Sequence, residues 1–109
     1  MFLFAALSIL ATSFTVGDFD YEVSGQDATL VSGVCPESPK NLVIPSTIEY
    51  ESKQYTVTVI GEGAFRGCAN WIGNLNLPDK ITQISENAFR QCTGLNGNLH
   101  LPTSLKTIG

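Results

Sequence analysis

Ile60, Ile84 and Ile108 recur at equal intervals (84 − 60 and 108 − 84 both equal 24), and the residues between them keep the same beat. Phe65/Phe89, Cys68/Cys92, Gly73/Gly97, Leu75/Leu99, Leu77/Leu101 and Pro78/Pro102 are all one interval apart. A unit this short cannot shelter its own apolar side chains, so each must stack on a neighbour to build a continuous core. The second half of the chain therefore predicts a solenoid, an architecture that offers a surface for binding before it offers a pocket for catalysis.

Within one unit, Leu75 and Leu77, like Leu99 and Leu101, alternate as the inward residues of a short strand, which the following proline ends because it has no N–H to give a neighbouring ladder. Ile81 and Ile84, matched by Leu105 and Ile108, supply a second inward pair. Ala64-Phe65-Arg66-Gly67-Cys68 and Ala88-Phe89-Arg90-Gln91-Cys92 set Phe and Cys three apart, which predicts one face of a single helical turn. On such a turn Arg66 and Arg90 would face Glu62 and Glu86 as solvated i,i+4 pairs.

The first rung begins at Asn41-Leu42-Val43-Ile44-Pro45, which aligns with Asn74-Leu75-Asn76-Leu77-Pro78. Pro45 and Pro78 are nine residues further apart than the period allows (78 − 45 − 24 = 9), so something is inserted. Residues 48–59 supply it, with two alternating apolar runs around a polar turn that read as a hairpin projecting from the rung. Upstream, Asp18–Val23 and Ala28–Val31 alternate around Ser24-Gly25-Gln26-Asp27, a second hairpin placed to cover the N-terminal face of the stack. Trp71 stands where the next unit has Leu95, either as a large core residue or as an exposed aromatic near the insertion.

The unit Leu-x-Leu-Pro-x-x-Ile/Leu-x-x-Ile followed by Ala-Phe-x-x-Cys resembles the BspA-like leucine-rich repeats of bacterial and protist surface proteins, over residues 41–109. The segment from Asp18 to Val34 resembles the strands that often precede such arrays. The resemblance implies a leucine-rich-repeat solenoid, a β-rich α/β fold of short parallel strands with one short helical turn per repeat, behind an N-terminal β-hairpin cap. It also implies an extracellular or cell-surface product that presents its repeats to host cells or matrix proteins.

Met1–Gly17 carries no charge, and its apolar run Phe2–Ala11 ends in small residues, which reads as a secretory leader cut before Phe14, with a cut after Gly17 as the runner-up. Its n-region lacks Lys and Arg; a membrane anchor or a buried helix is the competing reading, but the run falls short of the roughly 20 residues a spanning helix needs. The organisation expected is a leader over residues 1–13, a cap with the Cys35 loop over 14–40, and repeats over 41–109 that stop short of the next Phe and Cys. Such a stop predicts a truncated array with an open last rung.

Three cysteines cannot all pair internally. Cys68 and Cys92, on successive rungs, are within disulfide distance but point in parallel, so they read as small buried thiols; Cys35, in the loop Cys35-Pro36-Glu37-Ser38-Pro39, reads as the exposed, reactive one.

If Leu75 and Leu77 face inward, Asn74 and Asn76 face outward, beside Asn98 and His100 and in line with Asn41 and Val43. That stripe is the candidate contact surface; stacked asparagines can equally satisfy one another, and His100 can be an ordinary solvated strand residue. Tyr50 and Tyr55, with Glu49, Glu51 and Lys53, make the inserted hairpin a second candidate, unless both rings pack it onto the rung.

A formal net charge of −4 makes nucleic acid and anionic lipid poor partners. No metal or cofactor cluster, no catalytic frame around His100 and no Asn-x-Ser/Thr acceptor is legible. The function these features predict is non-catalytic adhesion to proteins of a host cell or matrix, with no small-molecule substrate. The alternative is a fragment of a longer array that self-associates through its open C-terminal edge.

Overall fold

The computed structural model describes residues 13–109. The predicted leader therefore lies outside the described residues except for Ser13. Eleven strands follow in chain order: β1 (Phe14–Val16), β2 (Phe19–Ser24), β3 (Asp27–Gly33), β4 (Lys40–Asn41), β5 (Thr47–Tyr50), β6 (Lys53–Ile60), β7 (Trp71–Ile72), β8 (Leu75–Asn76), β9 (Gln83–Ile84), β10 (Leu99–His100) and β11 (Thr107–Ile108).

One seven-stranded sheet runs β1-β2-β3-β6-β9-β11, with β5 pairing β6 off that path. Its first three strands are the antiparallel cap, and from β3 onward the path is parallel, as stacked coils require. Both predicted hairpins form, but the inserted one does more than project. Its second strand, β6, joins the cap to the repeats, pairing Ala28↔Val57 on one side and Ile60↔Ile84 on the other. The other edge of each coil forms two short parallel ladders, β4 with β7 and β8 with β10. Leu42, Ile44, Trp71 and Leu77 from this edge meet Leu30, Val57, Ile60 and Ile84 from the long sheet in one core.

Rungs exchange backbone hydrogen bonds in both directions. The later rung donates to the earlier from Thr82 N to Thr58 O, from Lys106 N to Thr82 O and from Gly97 N to Gly73 O. The earlier donates to the later from Phe65 N to Ala88 O and from Leu75 N to Asn98 O.

Phe65 and Phe89 stack nearly parallel, centroids 5.2 Å apart, which makes the repeat interval visible as a distance. Phe65 also meets Phe19 and Trp71 edge-on, and Trp71 is 2% exposed, which settles its place in the core. Burying an aromatic of this size stabilises the fold by about 1.5–3 kcal/mol.

The helical turn does not form; the described residues contain no helix. The Ala-Phe-x-x-Cys segments are instead chains of separate turns, with bonds from Ala64 N to Gly61 O, Arg66 N to Gly63 O and Cys68 N to Phe65 O. Gly63 (φ 63°) and Gly67 (φ 76°) are left-handed, as are their repeat equivalents Asn87 (φ 60°) and Gln91 (φ 63°). A helix needs negative φ at every residue, so a left-handed residue at every fourth position breaks it. Without a helix there is no i,i+4 face, and neither Glu62–Arg66 nor Glu86–Arg90 pairs; among the described residues the ion pair is Lys40–Asp18, at 2.8 Å.

Two further expectations are corrected. Cys35 is not a free thiol but is bonded to Cys68, leaving Cys92 as the free, half-buried cysteine. Leu99, Leu101 and Ile108, expected inside, are 60%, 44% and 60% exposed, whereas their equivalents Leu77 and Ile84 are 3% and 7% exposed. The inward register is kept, but among the described residues no further rung covers them.

Candidate binding surface

Asn76 and His100 are register partners on β8 and β10, and both side chains are exposed. Parallel pairing over Leu75↔Leu99 sets them side by side one strand spacing apart. His100 also borders a shallow depression with Asp79, Lys80 and Pro102. The hydroxyl of Ser104 in that depression lies 2.6 Å from the carbonyls of both Asp79 and Ile81, so it is engaged in holding two rungs together.

Asn74 and Asn98 behave differently from their neighbours. The backbone N–H of Asn98 donates to Asn74 Oδ1 at 2.7 Å, the rung-to-rung bond left open as one of two readings of the sequence. Gly97 makes room for it, because a Cβ there would collide with the Asn74 amide. Asn41 does not fall into a straight row with these two. It pairs with Ile72 rather than Asn74, and its Oδ1 rests against Gly73 much as that of Asn74 rests against Gly97. The first rung's backbone pairing is thus offset by two residues from the alignment on Pro45 and Pro78, between which the nine-residue insertion interrupts the period. The exposed side chains on this edge therefore include Asn76, Asn98 and His100, with Val43 74% exposed on the first rung.

On the inserted hairpin Tyr50 stacks on Phe14 at 3.7 Å with the rings 10° apart, so one face is taken by the cap. Tyr55 is half-buried against the core. The tip residues Glu51 (φ 52°) and Ser52 (φ 65°) are both left-handed, the two-residue turn that matches strand twist and that Asn-Gly adopts with less strain. Phe14 is the contact that sequence reasoning missed; the alternation of Phe14-Thr15-Val16 immediately after the proposed cut was its signal.

A third exposed region covers the last rung. Phe89, Leu99, Leu101 and Ile108 line a depression of about 430 Å³ that also includes Arg90. Near the cap, Lys40 Nζ sits 5.8 Å over the Trp71 ring while bonded to Asp18. Among the described residues two buried side-chain polar atoms, Tyr21 Oη and Trp71 Nε1, have no hydrogen-bond partner, and burial pushes the Tyr21 phenol up to about 12. Among the described residues no group of three His, Cys, Asp or Glu side chains gathers at metal-binding distance, and no helix is long and apolar enough to cross a membrane.

Residues 40–109, more than half the chain, match the BspA type leucine rich repeat region in six copies. The chain belongs to this BspA-type leucine-rich-repeat family. Among solved structures, a leucine-rich repeat protein from Bacteroides capillosus aligns with a TM-score of 0.73 at 23% identity, over 89% of this chain and 87% of that one. One from Bacteroides ovatus aligns with a TM-score of 0.73 at 24% identity, over 84% of this chain and 24% of its own length. A leucine rich cell surface protein from Faecalibacterium prausnitzii aligns with a TM-score of 0.77 at 24% identity, over 94% of this chain and 27% of its own. At these identities the likeness is one of fold. Comparison with curated proteins returned no match. The BspA-type coils explain the recurring Leu-x-Leu-Pro and Ala-Phe-x-x-Cys elements, here about three turns deep.

Proposed function

We propose that this BspA-type chain is a secreted or cell-surface module that binds protein and performs no catalysis, with Asn76 and His100 at the centre of its contact face, the Tyr50 hairpin as a second candidate face and an adhesion partner on a host cell or in matrix. The observation that carries the reading is the in-register pair Asn76 and His100, exposed on adjacent coils and not engaged in rung-to-rung bonding as the Asn74 amide is. The Cys35–Cys68 disulfide supports an oxidising compartment, as does the likeness in fold to the leucine rich cell surface protein of Faecalibacterium prausnitzii. The uncharged leader and its cut before Phe14 belong to the same proposal.

Binding of the purified chain to immobilised matrix proteins and to cultured epithelial cells tests it. Asn76→Glu with His100→Glu should lower retention at least about tenfold, the loss expected when charges are forced into a desolvated contact. Asn41, Asn74 and Asn98 are left unchanged in that variant, because the Asn74 amide holds the backbone of Asn98 and so ties the coils together. Undiminished binding would remove the stripe and leave the Tyr50–Tyr55 hairpin as the remaining face.

A second reading is favoured by the exposed Leu99, Leu101 and Ile108, which form an apolar face suited to a further copy. Sedimentation velocity over a concentration series reads it directly: self-association that Leu101→Glu abolishes supports it, and a single monomer boundary overturns it.

A further inference from the structure

The three sulfurs lie together in the fold. Cys68 is bonded to Cys35 with the Cα atoms 5.0 Å apart and is buried, at 3% exposure. Cys92, its equivalent on the next coil, points its Sγ at Phe65 O at 2.8 Å, and that same carbonyl accepts the N–H of Cys68. Cys92 therefore sits at the mouth of the turn that carries Cys68.

The two turns are bonded on both sides of this point, from Phe65 N to Ala88 O and from Gly67 N to Arg90 O, each at 2.8 Å. With the Phe65 and Phe89 rings 5.2 Å apart just upstream, the coils here are separated by about one strand spacing. That spacing falls inside the roughly 4.4–6.8 Å window in which two Cα atoms can be bridged by a disulfide. Cys68 thus has two cysteines within bonding reach, one joined to it and one free.

We propose that Cys92 exchanges into this disulfide, so that the chain exists as two isomers of equal oxidation level, and that Cys35 becomes a surface thiol open to modification in the second. The Cys92 thiol loses its proton to solvent and the thiolate attacks Cys68 Sγ. The Cys92–Cys68 bond forms as the Cys68–Cys35 bond breaks, and the electron pair leaves on Cys35 Sγ, which takes a proton from solvent. No oxidant or reductant is consumed.

Chain entropy does not choose between the isomers. The present bond closes a separation of 33 residues and the alternative closes one repeat, and the cost of loop closure changes only logarithmically with length. Exposure separates them. Cys92 is half-buried, and burial lifts its thiol above the ordinary range against a weaker opposing bond from the Cys68 backbone, so its thiolate is scarce and the exchange slow. Cys35 lies on an exposed loop between β3 and β4. Once released, it can attack a small external disulfide of the glutathione class, forming a mixed disulfide and expelling the second thiol.

The test uses the full oxidised chain held without oxidant at about pH 8, where thiols begin to ionise, then blocked with N-ethylmaleimide, cleaved with pepsin and mapped by mass spectrometry. Expected are two populations, one carrying maleimide on Cys92 and one carrying it on Cys35 with a Cys68–Cys92 cross-linked peptide. In Cys92→Ser, Cys35 labelling should fall by about tenfold or more, since its displacing thiol is gone. In Cys35→Ser, mild oxidation should join Cys68 to Cys92. Label confined to Cys92, Cys35 labelling that survives Cys92→Ser, or a Cys35→Ser chain that leaves both remaining thiols free would each overturn the exchange.

Discussion

The two ends of the stack carry the same residue types and treat them in opposite ways. At the cap end, β3 lies along the first coil, Gly61 N donates to Leu30 O and Gly33 N to Ala64 O, and Tyr21, Leu30 and Phe65 lose all contact with solvent. At the far end, Leu99, Leu101 and Ile108 hold the inward register of Leu75, Leu77 and Ile84 yet stand largely in water. Burial in such a fold is a property of the neighbouring coil and not of the residue. Mutational cost should therefore track position along the stack and not residue identity.

The largest effect should come from breaking this comparison at one repeat position. Leu77→Ala should cost about 2–5 kcal/mol, whereas Leu101→Ala should cost about 1 kcal/mol or less, as read by urea denaturation of the two variants. Equal losses would mean that the last coil is packed as tightly as the one before it.

A smaller contrast is set by pH, since the core at the cap end holds an ionisable group. Tyr21 titrates at about 12 in the folded chain against 10.0 for a free phenol, because burial penalises the phenolate. Below pH 10 both states keep the proton and stability is unaffected. Between pH 10 and about 12 the unfolded chain alone releases it, so stability falls as pH rises through that window. Tyr21→Phe should remove this alkaline loss in thermal melts, and at neutral pH it should be neutral to stabilising, because the buried hydroxyl it deletes has no partner among the described residues.

The smallest contrast compares two coils at a single turn position. Gly63 and Asn87 share a left-handed backbone, so Gly63→Ala should destabilise by about 1–2 kcal/mol while Asn87→Gly should be neutral or stabilise by up to about 1 kcal/mol. Calorimetric midpoints of the two variants moving in the same direction would contradict the shared geometry.

Much of the architecture was legible because periodicity is a direct statement about stacking. Leu75↔Leu99, Asn76↔His100, Gln83↔Thr107 and Ile84↔Ile108 pair at the interval read from the sequence. The turns were misread for a specific reason: Phe and Cys three apart fit one helical turn and also fit successive turns, and the left-handed backbone at Gly63/Asn87 and Gly67/Gln91 separates the two. The glycines carry that signal in one unit, whereas Asn87 and Gln91 do not announce it in the next. The partner of Cys35 was hidden because a loop's landing point depends on tertiary packing, and Asn41 was misregistered because an insertion breaks the arithmetic that placed it. Of the candidate contacts, Asn76 and His100 are exposed as expected, whereas the amide of Asn74 is engaged by the coil that follows.

The alternating sense of the hydrogen bonds between coils has an electrostatic consequence. In an α-helix every peptide dipole points the same way, so the two ends gather opposite partial charge. Here hydrogen bonds of both senses join successive coils, as from Gly97 N to Gly73 O and from Leu75 N to Asn98 O, so the dipoles along the stacking axis oppose one another. Adding coils to such an array accumulates little end charge, and its length is limited by sequence and not by a growing field.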